Sequence, residues 1–194
     1  MITGPLAGML LADLGASVIK IENPDGGDPF RYFRGGRYGG HFIAYNRNKR
    51  GLTLDLRSPR GKEIFTTLIR DADVLIDNFR PGVMDRLGLG YDAVTARNPR
   101  IIYASASGYG QTGPWVHRRA YAPVVGAESG FTKAQGDARG TPYANDAHSH
   151  ADVYTALELG AAVLAALFQR ERTGRGDRID VSMAQTMQIG RAHV

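Results

Sequence analysis

The sequence has no cysteine among its 194 residues. Disulfide bridges and cysteine-ligated metal sites are therefore excluded. The composition agrees with a reducing compartment, and the expected location is the cytoplasm. No apolar run reads as long enough to cross a bilayer. The most apolar stretch, Leu159 to Phe168, is short and flanked by charge. The opening residues lack the basic-then-apolar pattern of a secretory leader, and no membrane partner is expected. Zinc-finger and RNP-type motifs are missing too. Basic residues outnumber acidic ones, 24 to 19, for a net charge of +5 and a pI near 9.6. They are scattered: Arg31, Arg34 and Arg37, then Arg47, Lys49 and Arg50, then Arg118 and Arg119, then Arg170, Arg172 and Arg175. No helix carries a dense basic face, so a phosphorylated small molecule fits the charge better than nucleic acid.

What is present is an alternation of helix and strand signals with short connections, the pattern of a parallel sheet covered by helices. Pro5 suits a first helical turn, with a helix over Leu6 to Leu14 that Gly15 stops. Ser17 to Ile21 reads as a buried strand. Asn23 to Gly40 reads as a long Gly/Arg-rich loop, of the kind that often carries function. His41 to Asn46 suggests a helical turn, and Leu52 to Leu56 alternates as a strand. Ser58-Pro59 supplies an N-cap and first-turn proline for a helix to Asp71. Further strands are expected over Asp73 to Asp77, Ile101 to Ser107 and Ile179 to Met183. Short helices are expected over Pro81 to Leu87, Tyr91 to Arg97 and Tyr121 to Ser129. The longest helix is expected over Ala151 to Arg172, closed by Thr173-Gly174. The fold expected is α/β, a Rossmann-like, mostly parallel sheet with helices on both faces. A domain of this kind normally opens with a strand, and none precedes the first helix, so the fold is expected to be truncated. Ile189 to Val194 matches the translation of a common sequencing-adapter read-through, and these residues are expected to be non-native.

Five constellations carry candidate chemistry. Gly108 to Gly113 is a literal G-x-G-x-x-G after a strand, with Glu128 placed as a ribose acceptor. A dinucleotide loop needs a helix starting at the phosphate. Pro114 to Arg119 is a poor helix, so a Gly-rich turn is the better reading. His148-Ser149-His150 resembles metal-ligand material, but two imidazoles at that spacing need further ligands, and a polar loop leading into a helix fits better. Ser105 and Ser107 lack the G-x-S-x-G elbow of hydrolases. Asp152 stands at the start of the longest helix. It reads either as an N-cap or as a carboxylate that the helix N-terminus keeps ionised through backbone N–H groups, suited to nucleophilic work. Arg31, Arg34 and Arg37 on the long loop, with Asn78-Phe79-Arg80 after a strand end, could grip phosphate and stack on a base. Ordinary loop chemistry explains them equally well.

Several blocks in order resemble the family III CoA-transferases. These are Gly4-Pro5 with Leu10 to Ala16, Val18 to Glu22, Gly27-Asp28-Pro29 with Arg31, and Asn46 to Gly51 with Leu54-Asp55-Leu56. Asp77 to Gly82, Ser107 to Gly110 with Gly113-Pro114, and Arg172 to Gly176 with Asp180 to Met183 complete the series. The resemblance runs from Gly4 to about Gln188. It implies a CoA-binding large domain over residues 1–188 that lacks its first strand and a smaller C-terminal domain, with 189–194 as the adapter-derived tail. It implies an intertwined homodimer for the complete protein. It implies Asp152 as the catalytic aspartate, and Arg31, Asn78, Phe79, Arg80, Arg119 and Tyr121 near the CoA chain or its nucleotide. Lys20 belongs to its strand rather than to the ligand set. The substrates implied are acyl-CoA and a small carboxylic acid, with no tightly bound cofactor and no metal. Family members often carry Tyr-Asp where this chain has Tyr121-Ala122, so Ala122 departs from the pattern, and the racemase branch carries a His in the place of Tyr121. That favours transfer through covalent aspartyl intermediates. Racemase-type proton transfer and a non-catalytic CoA- or nucleotide-binding module are the alternatives.

Overall fold

The structure, a computed structural model, describes residues 1–33 and 35–188. Arg34 and the expected adapter-derived tail, 189–194, lie outside the described residues. The chain runs through α1 (Thr3–Asp13), β1 (Val18–Glu22), a 3-10 turn (Pro29–Arg31), α2 (Gly40–Asn46), β2 (Lys49–Thr53), α3 (Pro59–Asp71) and β3 (Val74–Asp77). It continues through α4 (Val83–Arg86), α5 (Tyr91–Thr95), β4 (Ile102–Ser107), α6 (Ala122–Glu128), α7 (Phe131–Arg139), α8 (His150–Thr173), β5 (Asp177–Ser182) and α9 (Met183–Gln188). Local chemistry explains many of these boundaries. Ser58 Oγ accepts the Gly61 N–H at 2.9 Å and Pro59 follows it, so α3 begins there. Gly174, with φ of 72°, closes α8.

All strand pairing is parallel. β1 pairs with β2, and β3, β4 and β5 lie side by side in that order, with Asp77 beside Ser105 and Ser107 beside Ser182. The ladder thus comes in two pieces rather than one sheet. β4 is buried along its whole length. Its small residues Ala104 and Ala106 join Ile179 and Val181 under α1 and α8, in one core cluster with Leu6, Ala7, Leu11, Ala156, Leu159 and Val163. Tyr103 and Leu75 turn the other way, into a second cluster with Phe65, Ile69, Met84 and Val94 of α3, α4 and α5. Helices therefore cover both faces, as the alternation of apolar positions along buried parallel strands requires. Arg170 pins the far end of α8 to the strand starts, donating to Asp73 Oδ1 at 2.8 Å and to the Arg100 carbonyl at 3.2 Å.

Several expectations shift, among them the starts of α1, three residues before the expected Leu6, and of β5, two before Ile179. The alternation at Leu52 to Leu56 suggested a strand there, but β2 starts and ends three residues earlier. The Leu54 N–H still donates to the Glu22 carbonyl at 2.9 Å. Asp55 then folds the chain into the turn before α3, its carboxylate accepting the Arg57 N–H and its carbonyl the Ser58 hydroxyl. Met183 leaves the final strand because Ser182 Oγ accepts the Gln185 N–H and starts α9. Between Ser129 and Ala151, where the sequence pattern marks no element, lies α7, bracketed by Gly130 and Gly140 in left-handed conformations. Gly136 sits where a Cβ would lie 2.5 Å from the Tyr143 ring. Finally, α8 is 24 residues long with a mean hydropathy of 1.5 over its most apolar window, long and apolar enough by composition to cross a membrane. The run of Leu159 to Phe168 understated it, because Ala151, Val153, Ala156 and Leu157 extend the apolar content toward the N-terminal end. Within this fold one of its faces is core.

Leu159 has no exposed surface. Leu159→Ala is expected to lower the unfolding free energy of the full-length protein by about 2–5 kcal/mol. Urea denaturation followed by circular dichroism checks this.

Candidate active site

The N-terminus of α8 is held by a residue that stands outside it. Asp146 accepts the backbone N–H groups of His148, at 3.0 Å, and of His150, and its Oδ1 lies 2.8 Å from His150 Nδ1. Burial pushes the Asp146 carboxyl up, but these hydrogen bonds outweigh it and hold the group below its usual range. Ser149 flanks the helix at φ of 51° and makes no side-chain cap. His150 is the first helical residue, so Asp152 lies inside the first turn and is not the N-cap. The helix starts earlier than the apolar pattern suggested because Asp146 satisfies its leading N–H group.

Asp152 is half-buried, and its carboxylate is not held by the backbone N–H groups of its own helix. Thr3, the first residue of α1 and 1% exposed, donates its hydroxyl to Asp152 Oδ1 at 2.7 Å across 149 residues of chain. The other oxygen, Oδ2, accepts no hydrogen bond from any described residue and is not among the sealed, unpartnered polar atoms. Burial pushes the Asp152 carboxyl above its ordinary value, and the Thr3 hydroxyl partly opposes that rise. Next to Thr3, Gly4 leaves the space into which Asn78 fits: a Cβ on Gly4 would lie 2.7 Å from Asn78 Oδ1. Ala151 and Ala122 share a third core cluster, which brings Tyr121 to the same end of α8. The carboxyl end of β3, the starts of α1 and α8, and the entry to α6 thus converge. Open α/β sheets bind ligands outside the carboxyl ends of their strands.

The remaining predicted residues divide. Phe79, 47% exposed, and Arg80 follow Asn78 at the surface, and Arg119 and Tyr121 are exposed before α6. Arg80 also lines a polar cavity of about 20 Å³ with Asp77, Asp85, Gln111 and Arg178, room for roughly one water. Arg31 is already paired: Nε and Nη2 grip Glu22 at 2.7 and 2.8 Å, and its guanidinium lies 3.9 Å from the centroid of Phe42. Lys20 likewise pairs with Asp28 at 2.7 Å, within its strand. The Gly-rich stretch is a turn. Ser107 accepts the Gly110 N–H, Asp180 accepts the Gln111 N–H, and Glu128 is engaged by Tyr109 and Arg118. Ser105 donates to Asp77, whose carboxyl burial pushes up.

Sequence reasoning missed Thr3 and Asp146. Asp146 left a faint signal, a carboxylate a few residues ahead of a long helix. Thr3 left none, since its partner is distant in sequence.

The sequence profile described as CoA-transferase family III matches residues 1–190. This chain belongs to that family. It is 44% identical over 187 residues to the acetyl-CoA:oxalate CoA-transferase of Acetobacter aceti, covering 94% of this chain and 48% of that protein. It is 41% identical over 197 residues to an acyl-CoA transferase of Fusarium pseudograminearum, covering 96% and 43%. A crystal structure of a CAIB/BAIF family protein from Brucella suis superposes with a TM-score of 0.90 at 35% identity, over 98% of this chain and 53% of that one. The family III chain described here spans about half the length of the curated relatives it matches.

Asp152 gives this family III chain a pH signature. Its folded pKa lies above the unfolded value, so its contribution to stability is full below the unfolded pKa and fades as pH rises through the folded one. An amide at this position avoids burying a charge. Asp152→Asn is therefore expected to raise the thermal midpoint at pH 7, with the advantage shrinking as pH falls below the carboxyl's ordinary range. Thermal melts across that range check both signs.

Proposed function

We propose that the complete protein transfers CoA from an acyl-CoA donor to a carboxylic acid acceptor, with Asp152 as nucleophile. The observation that carries this reading is the half-buried Asp152 carboxylate, bound at one oxygen and open at the other. The open oxygen attacks the thioester carbonyl, the C–S bond breaks, and CoA leaves as thiolate, giving a mixed anhydride on Asp152. The thiolate attacks the aspartyl carbonyl, releasing the donor acid and leaving an aspartyl-CoA thioester. The acceptor carboxylate attacks that thioester, which re-forms an anhydride and frees the thiolate. The thiolate then takes the acceptor's acyl group, and Asp152 returns as carboxylate. Each step passes through an oxyanion that backbone N–H groups must stabilise.

The surface residues suit the CoA carrier. Phe79 offers an exposed ring for an adenine, and Arg80 and Arg119 offer paired N–H donors for phosphates. Asn78, beside Gly4, and Tyr121, next to Ala122, lie at the same end of α8 as Asp152 and would line the path of the carrier. Arg31 enters this reading through the loop it anchors to Glu22. The relatives' names support acyl-CoA and small acids as the substrate classes, oxalate among them. The enzyme is proposed to work as a homodimer in the cytoplasm.

Asp152→Ala in the full-length protein is expected to abolish CoA exchange between acids while CoA binding, measured by calorimetry, is unchanged. Turnover retained by this variant would overturn the assignment.

A further inference from the structure

We propose that Thr3 is a positioning residue for the candidate nucleophile, its hydroxyl fixing which oxygen of Asp152 is left free to react. The inference rests on the nucleophile reading above and deepens it. Its footing is geometric. Thr3 is the first helical residue of α1, just past Ile2 at the N-cap, and a threonine hydroxyl within a helix ordinarily bonds to a nearby backbone group or to water. This hydroxyl crosses to α8 and donates to Asp152 Oδ1 at 2.7 Å. The residue is 1% exposed, so the hydroxyl has no competing water. Its neighbour Gly4, having no Cβ, lets α1 approach Asn78 at the end of β3 closely.

Two consequences follow for the reaction. A donor fixed on Oδ1 stops the carboxylate rotating freely about its χ2 axis, which is broad and nearly two-fold in aspartate. Oδ2 is then presented in one direction. A hydroxyl donor also favours the ionised carboxylate over the neutral acid, against the burial that disfavours it. A valine at this position keeps the shape and packing of the side chain but supplies neither effect, and a serine supplies both.

The test uses the full-length protein with Thr3→Val, Thr3→Ser, Thr3→Ala and Asp152→Ala, assayed for CoA exchange from pH 4 to 9. Thr3→Val is expected to lower kcat about tenfold, with the KM for acyl-CoA little changed, because a small misplacement of a reacting atom acts on the chemical step. The acid limb of its kcat profile is expected to move up by about one pH unit. Thr3→Ser is expected to restore both. Should Thr3→Val fold poorly by circular dichroism, the Ser and Ala pair decides, since both lose the methyl and differ only in the hydroxyl. Equal kcat and an equal acid limb for Ser and Ala, or a wild-type profile for Val, would overturn the proposal while Asp152→Ala is inactive. An active Asp152→Ala variant instead removes the nucleophile reading, and this inference with it.

Discussion

The packing of α1 and α8 together over the small residues of β4 is the constraint on which the rest of the structure depends. Ala104 and Ala106 present almost no side chain to the helices above them, and Ala7 and Ala156 are fully buried in the same layer. Larger residues at these four positions would lift the helices away from the sheet, because a close-packed interior does not absorb extra methylenes without strain. Only with both helices seated can their first turns meet at the carboxyl end of β3. The Thr3 to Asp152 bond is thus a product of core packing. Lys49 secures the same arrangement from the side, donating to the carbonyls of Pro5 and Tyr45 and to Asn46 Oδ1. Burial pushes its pKa down to about 7, while three acceptors match the three donors of an ammonium and favour the charged form.

Much of this fold was legible in the sequence because its signals are local. A cap serine followed by proline marks α3, and Thr173-Gly174 marks the end of α8. Runs such as Ile101 to Ser107 could only be buried strands. What failed were boundaries set by partners elsewhere in the chain. The ladder with β1 decides where β2 begins, and Asp146 decides where α8 begins. α7 escaped notice because its sequence is polar, with a glycine at its centre whose neighbour is Tyr143. The candidate site was legible to the same degree. Asp152 stood out by its place near a helix start and by the ordered family blocks. That it bonds a threonine at the other end of the chain is a tertiary fact with no local trace. Arg31 shows the converse: its motif signalled a phosphate grip, and the structure gives it a carboxylate partner of its own.

Four of the more buried acidic groups fall into two electrostatic kinds. Glu22 and Asp28 are each raised by burial, and each is brought back below the ordinary range by a cation and a backbone N–H. Such groups stabilise the fold above their unfolded pKa and cease to do so as pH falls through the folded one. Asp77 and Asp152 are raised by burial; hydrogen bonds and one cation each, Arg178 for Asp77 and the N-terminal ammonium for Asp152, oppose the rise without overcoming it. Their contribution has the opposite sign, fading as pH rises. The first kind holds the long Gly/Arg-rich loop against β1. The second stands at the carboxyl ends of the strands, where local consistency is commonly given up for function.

That contrast explains why a threonine, and not a lysine or arginine, suits the place beside Asp152. An arginine would lower the carboxyl pKa further and could occupy both oxygens at once, as Arg31 does with Glu22. The carboxylate would then be well ionised and poorly available, its lone pairs committed to a permanent partner. Without the hydroxyl, burial would push the carboxyl further up, against the N-terminal ammonium alone. A single neutral hydroxyl lies between these limits. It offsets part of the burial, engages one oxygen, and leaves the other without a hydrogen bond from any described residue, as the proposed nucleophilic role requires.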